Sequence, residues 1–213
     1  MVKKDNMGVV LGILIGILVL SMIFVFSMDD GVADDVYKYS NGNTIFEVYK
    51  YSDTETYITF LAGVDDIEYT LGLRTDPLSL EDIPVTGTLH TRIFDDEIVY
   101  VTIDPYANLT GQTVIAALEV DKVIDNEYLY QVPVMSAMTR EYSDYPVKNC
   151  DDGTNTETIV YLTLGDETKV YTYDYCIIIM GTDEAELIRA ADRMLYTLLG
   201  IMQWLNTILV RNL

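Results

Sequence analysis

Residues Met7–Phe26 read MGVVLGILIGILVLSMIFVF, twenty residues without a charge or a proline. An α-helix rises about 1.5 Å per residue and a bilayer core is about 30 Å thick, so the run predicts a transmembrane helix. Lys3 and Lys4 precede it, and Asp29, Asp30, Asp34 and Asp35 follow it. Basic residues mark the cytoplasmic side, so a cytoplasmic amino terminus and an extracellular bulk are expected. The run exceeds the 7–15 apolar residues or so of a cleaved leader, and Phe24–Met28 offers no small-x-small cleavage site. Residues 1–28 are therefore read as a retained signal anchor in a single-pass cell-membrane protein, with residues 7–26 in the lipid bilayer. Gly8, Gly12 and Gly16 share one face, at the spacing that lets two helix backbones approach closely in lipid.

Beyond this run the chain carries 11 Lys and Arg against 33 Asp and Glu. Such a surface repels nucleic acid and anionic headgroups, so nucleic acid is excluded as a partner. Most of the acidic doublets, such as 65–66 and 95–96, read as turn residues on a solvated face. Seventeen tyrosines, with many valines, isoleucines and threonines, favour half-exposed sheets. Two cysteines, Cys150 and Cys176, both fall on the extracellular side and suggest one disulfide. Asn108-Leu109-Thr110 is a glycosylation sequon, which makes Asn108 the candidate acceptor.

The order of elements predicts a mixed α+β chain: the amino-terminal helix, a β-rich module over 36–105, then an α/β module over 108–213. VYKYS occurs twice, at 36–40 and 48–52, around Asn41-Gly42-Asn43. This predicts a hairpin, because Asn and Gly accept positive φ. Further strands are expected over Tyr57–Leu61, Ile67–Leu73, Thr88–Phe94 and Ile98–Ile103, with a loop over Thr75–Pro84. Thr113–Ile124 has helical spacing, with Thr110 or Gly111 as its start. Tyr128–Met135 reads as a strand. Thr158–Leu164 and Lys169–Tyr173 flank Gly165-Asp166-Glu167 and read as a second hairpin. Cys176–Met180 is a continuous apolar run, typical of a central strand covered on both faces. Asp183 then has capping-box spacing to Glu186. In the last segment Ile188, Ala191, Leu195, Leu198, Met202, Leu205 and Leu209 alternate three and four apart, a heptad seam on a long carboxy-terminal helix. Packing on the domain's own sheet is the leading reading. Self-association through Leu195, Leu198, Met202, Leu205 and Leu209 and membrane insertion are the others.

Chemistry-bearing patterns are sparse. The one histidine, His90, lies in a strand-like run with no nucleophile motif beside it. The chain has no Gly-rich phosphate loop and too few Cys and His for a usual zinc site. Paired carboxylates for hydrolysis are available in quantity, but nothing selects a pair. Asp151, Asn155 and Glu157 offer oxygens of the kind Ca²⁺ takes, although an ordinary polar loop beside Cys150 is the more economical reading. No other cofactor is indicated.

Asn149-Cys150, the segment TIVYLTLGDETKVY, the strand and corner Ile177–Asp183, and the helix Leu187–Leu195 with its Ala190-Ala191 pair resemble the α/β module of archaeal S-layer and S-layer-like surface proteins. The resemblance spans residues 108–200 and implies a structural, non-enzymatic role at the cell surface. The expectation is a membrane-anchored structural or adhesive protein of the cell envelope, self-associating or contacting other surface proteins. A pilin-like filament subunit and a carboxylate-using surface hydrolase are the alternatives.

Overall fold

A four-stranded antiparallel sheet opens the described chain, in the order β1 (Asp35–Ser40), β2 (Ile45–Ser52), β3 (Glu55–Ala62), β4 (Ile67–Leu73). The computed structural model describes residues 33–62, 67–89, 93–94 and 96–203. Met7–Phe26, with Gly8, Gly12 and Gly16, lies outside them, as do His90, Leu205 and Leu209. Among the described residues no helix is long and apolar enough to cross a membrane.

The expected first hairpin is present. Asn41 Oδ1 accepts from the backbone N–H groups of Asn43 and Thr44 at 3.0 and 2.8 Å, and Gly42 takes a φ of +86°. Its register sets Tyr37 against Val48 and Val36 against Tyr49, so Tyr37 and Tyr39 share the face of Val48 and Phe46. Tyr49 lies on the opposite face, because side chains alternate along a strand.

A second sheet has six strands in the order β5-β9-β10-β8-β6-β7. These are β5 (Val85–Thr86), β6 (Ile98–Ile103), β7 (Val134–Met138), β8 (Glu157–Leu164), β9 (Lys169–Tyr173) and β10 (Cys176–Gly181). Helix α1 (Gly111–Ile124) connects the parallel neighbours β6 and β7, and α2 (Glu184–Leu198) follows β10. Thr110 caps α1 and Asp183 caps α2, each accepting a first-turn N–H as the sequence indicates.

Strand faces separate cleanly. Val101, Leu162, Ile177 and Ile179 join one core cluster with Leu187, Ala191 and Leu195 of α2 and with Val48, Ile58 and Leu71 of the first sheet. Ile159, Cys176 and Ile178 form a smaller cluster with Tyr100, Tyr161 and Tyr171 on the opposite face. Every residue from Ala190 to Leu198 is buried. A helix buried all round lies between two layers, and here one continuous core runs from the first sheet through the helices to the second.

Several expectations are corrected. The break between β-rich and α/β parts does not fall near residue 105. β5 and β6 belong to the second sheet, so the change of sheet lies between Leu73 and Val85. Thr88, Leu89, Ile93 and Phe94 lie outside strands. The segment before Pro133 folds as a turn on Asn126, which accepts from Leu129 and Gln131, and the strand starts at Val134 instead of Tyr128. β8 and β9 are not hairpin partners, because β10 inserts between them. The tight hairpin is β9–β10, turning at Asp174 with a φ of +46°.

The last helix is shorter than its heptad pattern. It stops at Leu198, where Gly200 takes a φ of +71°. Ile201 N–H bonds Tyr196 O and Gly200 N–H bonds Thr197 O, the paired bonds of a Schellman terminus. Leu195, Leu198 and Met202 are at most 2% exposed, so they belong to the chain's own core and offer no association seam.

Candidate functional site

The sequence singled out the 150–157 loop, and the structure gives Asp152 and Glu157 internal partners. Cys150 and Cys176 form the expected disulfide. It ties the short 3-10 turn Cys150–Asp152 to the start of the central strand β10. Asn149 and Asp152 close a capping box around that turn, with Asn149 N–H donating to Asp152 Oδ2 at 2.8 Å. Glu157 accepts from Lys148 Nζ at 2.8 Å, and that ammonium sits 4.4 Å above the Tyr100 ring. Asp151 and Asn155 are exposed. Among the described residues no group of three or more His, Cys, Asp or Glu side chains is placed to hold a metal ion. Asn108 is exposed in the loop before α1.

The more distinctive site was not legible in the sequence. A cleft of about 570 Å³ opens where the end of β2, the turn after β4 and the first turns of both helices meet. Lys50, Arg74 and Arg189 line it, three of the few cations on this acidic chain, together with Asp53, Asp76, Ser79 and Gln112. The helices contribute Ile115, Ala185 and Ile188 as an apolar wall.

Most of these polar groups are engaged with one another. Asp76 caps the short 3-10 helix Pro77–Leu80, accepting from Ser79 N–H. It also accepts from the Tyr37 hydroxyl at 3.0 Å and lies 3.8 Å from Lys50 Nζ. Burial and the adjacent Asp76 push the Tyr37 hydroxyl's pKa well up, which keeps it a donor. Lys50 also reaches Asp53 at 3.1 Å. Arg189 is spread over Glu186 at 2.6 Å, the Ser79 carbonyl at 2.5 Å and Asp82 at 3.3 Å. Arg74 is half-buried and makes no ion pair or hydrogen bond among the described residues.

Behind the cleft wall lies a buried carboxyl. Asp192 of α2 is 0% exposed; its Oδ2 accepts from Thr75 N–H at 2.8 Å, and its Oδ1 has no partner among the described residues. Tyr196 holds the same turn, donating to the Thr75 carbonyl at 3.0 Å. Burial raises the Asp192 pKa to about 7, Glu119 adds to the rise, and the Thr75 hydrogen bond opposes it. Asp192 is enclosed by protein, so this group bears on the stability of the Thr75 turn and not on a substrate.

Two further groups fix the walls. Glu184 takes four hydrogen bonds, from the N–H and hydroxyl of both Thr110 and Thr113, and so joins the starts of α1 and α2. Those bonds hold its pKa down at about 2. Arg193 is buried and donates to the Ile83 and Gln203 carbonyls at 3.1 and 2.8 Å and to the Thr197 hydroxyl.

A second recess of about 720 Å³ is apolar, with Leu61, Ile67, Phe94 and Tyr128 at its rim, each at least half exposed.

The one sequence signal for the first cleft is scarcity. Where carboxylates outnumber cations threefold, an arginine placed directly before the Thr75-Asp76-Pro77 turn stands out. No family model matches the chain, and neither the curated proteins nor the solved structures give a match.

Proposed function

We propose that the chain is a membrane-anchored extracellular protein of the cell envelope, with a structural or adhesive and non-enzymatic role of the S-layer-like kind. The observation that carries the reading is the pairing of an uncharged twenty-residue run behind Lys3 and Lys4 with a disulfide-closed acidic domain. Lysines on one side and acidic residues on the other orient the run. Disulfides persist in oxidising compartments, which supports an exterior site for Cys150 and Cys176. The exposed Asn108 is compatible with glycosylation there. Exposed tyrosines, among them Tyr106 and Tyr142 in edge-on contact at 6.4 Å, supply amphipathic surface for neighbouring proteins.

Sequencing the mature amino terminus from a membrane fraction tests the anchor. An intact amino terminus that keeps residues 7–26 supports it. Loss of about the first eight residues favours a filament subunit whose helix leaves the membrane.

A further inference from the structure

We infer that the cleft at Arg74 binds an acidic sugar: a carboxylate carried on a polyhydroxylated ring of one or two units. The observation that starts the argument is the unpartnered guanidinium. Arg74 is half-buried in a domain where carboxylates outnumber cations threefold, yet among the described residues it has neither an ion pair nor a hydrogen bond. Partial burial of a charge is costly without a partner, and a guanidinium offers a planar fork of donors matched to a carboxylate. The other two cations of the cleft are already engaged, Lys50 by Asp53 and Asp76, Arg189 by Glu186 and Asp82. Both are matched by carboxylates, so Arg74 is the open anion position.

The rest of the lining selects the remainder of the ligand. The single guanidinium without a carboxylate suits a single negative charge, and the acidic shell outside disfavours a polyanion. Gln112 presents an amide, the Ser79 hydroxyl donates to the Asp76 carbonyl at 2.9 Å and keeps its acceptor lone pairs, and Asp53, 96% exposed at its side chain, keeps acceptor capacity beyond its Lys50 pair. Ile115 and Ile188 give an apolar wall for the C–H face of a ring. About 570 Å³ lies in the usual range for small-molecule sites and accommodates one or two pyranose units.

The inference gives the adhesive reading a ligand class. It does not depend on the anchor, so either can fail while the other stands. The test is titration of the full chain in detergent with sodium glucuronate, followed by calorimetry and by thermal unfolding. Glucose serves as the neutral control, and acetate and inorganic phosphate as bare anions. Saturable glucuronate binding is expected, at least tenfold tighter than acetate or phosphate, with none for glucose. Arg74→Gln should weaken it at least tenfold and Arg74→Lys by a smaller factor, with unchanged circular dichroism and an intact disulfide. Gln112→Ala, on an exposed helix start, should weaken it severalfold and serves if the Arg74 variants do not fold. No saturable glucuronate binding, equal binding of phosphate, or binding indifferent to both Arg74→Gln and Gln112→Ala would each overturn the inference.

Discussion

Asp192 sets the sign of one pH dependence. Its carboxyl has a pKa of about 7 in the folded chain and an ordinary value near 4 when unfolded. Between those values the folded state holds the extra proton, so the contribution of this group to stability falls as pH rises. Glu184 acts in the opposite sense: with its pKa held at about 2, its contribution is present above its ordinary value and is lost as pH falls toward 2. Asp192→Asn mimics the neutral acid. It is expected to match the native chain near pH 4 and to exceed it by about 2–4 kcal/mol at pH 7.5, read by urea unfolding at both values. Equal effects at the two pH values would show that the carboxyl is not neutral in the folded chain. The sequence carries Asp192 inside a helix pattern, but not its burial, which follows from packing against the Thr75 turn far away in the chain.

Gly181 explains how β10 passes into α2. A Cβ at this position would stand 2.3 Å from Leu187 N and 2.6 Å from both Asp183 O and Leu187 Cα, all backbone atoms with no room to yield. Gly181→Ala is therefore expected to cost about 3 kcal/mol or more, measured as a fall in the denaturation midpoint with an unchanged slope. A loss below about 1 kcal/mol would mean that the corner relaxes freely. The same elements show what a sequence discloses. Asn41-Gly42-Asn43, the Thr110 and Asp183 caps and the apolar β10 are local signals, and all are found where the sequence puts them. Gly165-Asp166-Glu167 has hairpin chemistry, yet the insertion of β10 between β8 and β9 is decided by non-local pairing. The heptad seam of the last helix is likewise broken locally at Gly200, and its upper half is absorbed by a core on both sides. Lys50, Arg74 and Arg189 meet only because the two sheets and the helices are layered, so their cleft left no contiguous motif.

At the scale of the molecule, the disulfide fastens the outer face of the second sheet. Cys150 and Cys176 close a loop with a sequence separation of 26, for which chain-entropy reasoning gives about 3.5 kcal/mol. The Cys150→Ser, Cys176→Ser double variant should lose about that much by urea unfolding, and native protein under reductant should lose the same. A difference well below 1 kcal/mol would mean that the bond does not restrain the unfolded chain.

The same bond links folding to location, since the proposed function puts the acidic domain outside a membrane that residues 7–26 would cross. The most direct measurement is protease treatment of intact cells expressing the chain, followed by alkaline carbonate extraction and mass spectrometry without reductant. The account predicts that added protease removes the domain from Asp34 onward with Cys150 and Cys176 paired, while the peptide containing residues 7–26 stays in the carbonate-resistant pellet. A domain protected from protease with free thiols, or a chain released by carbonate, would contradict it.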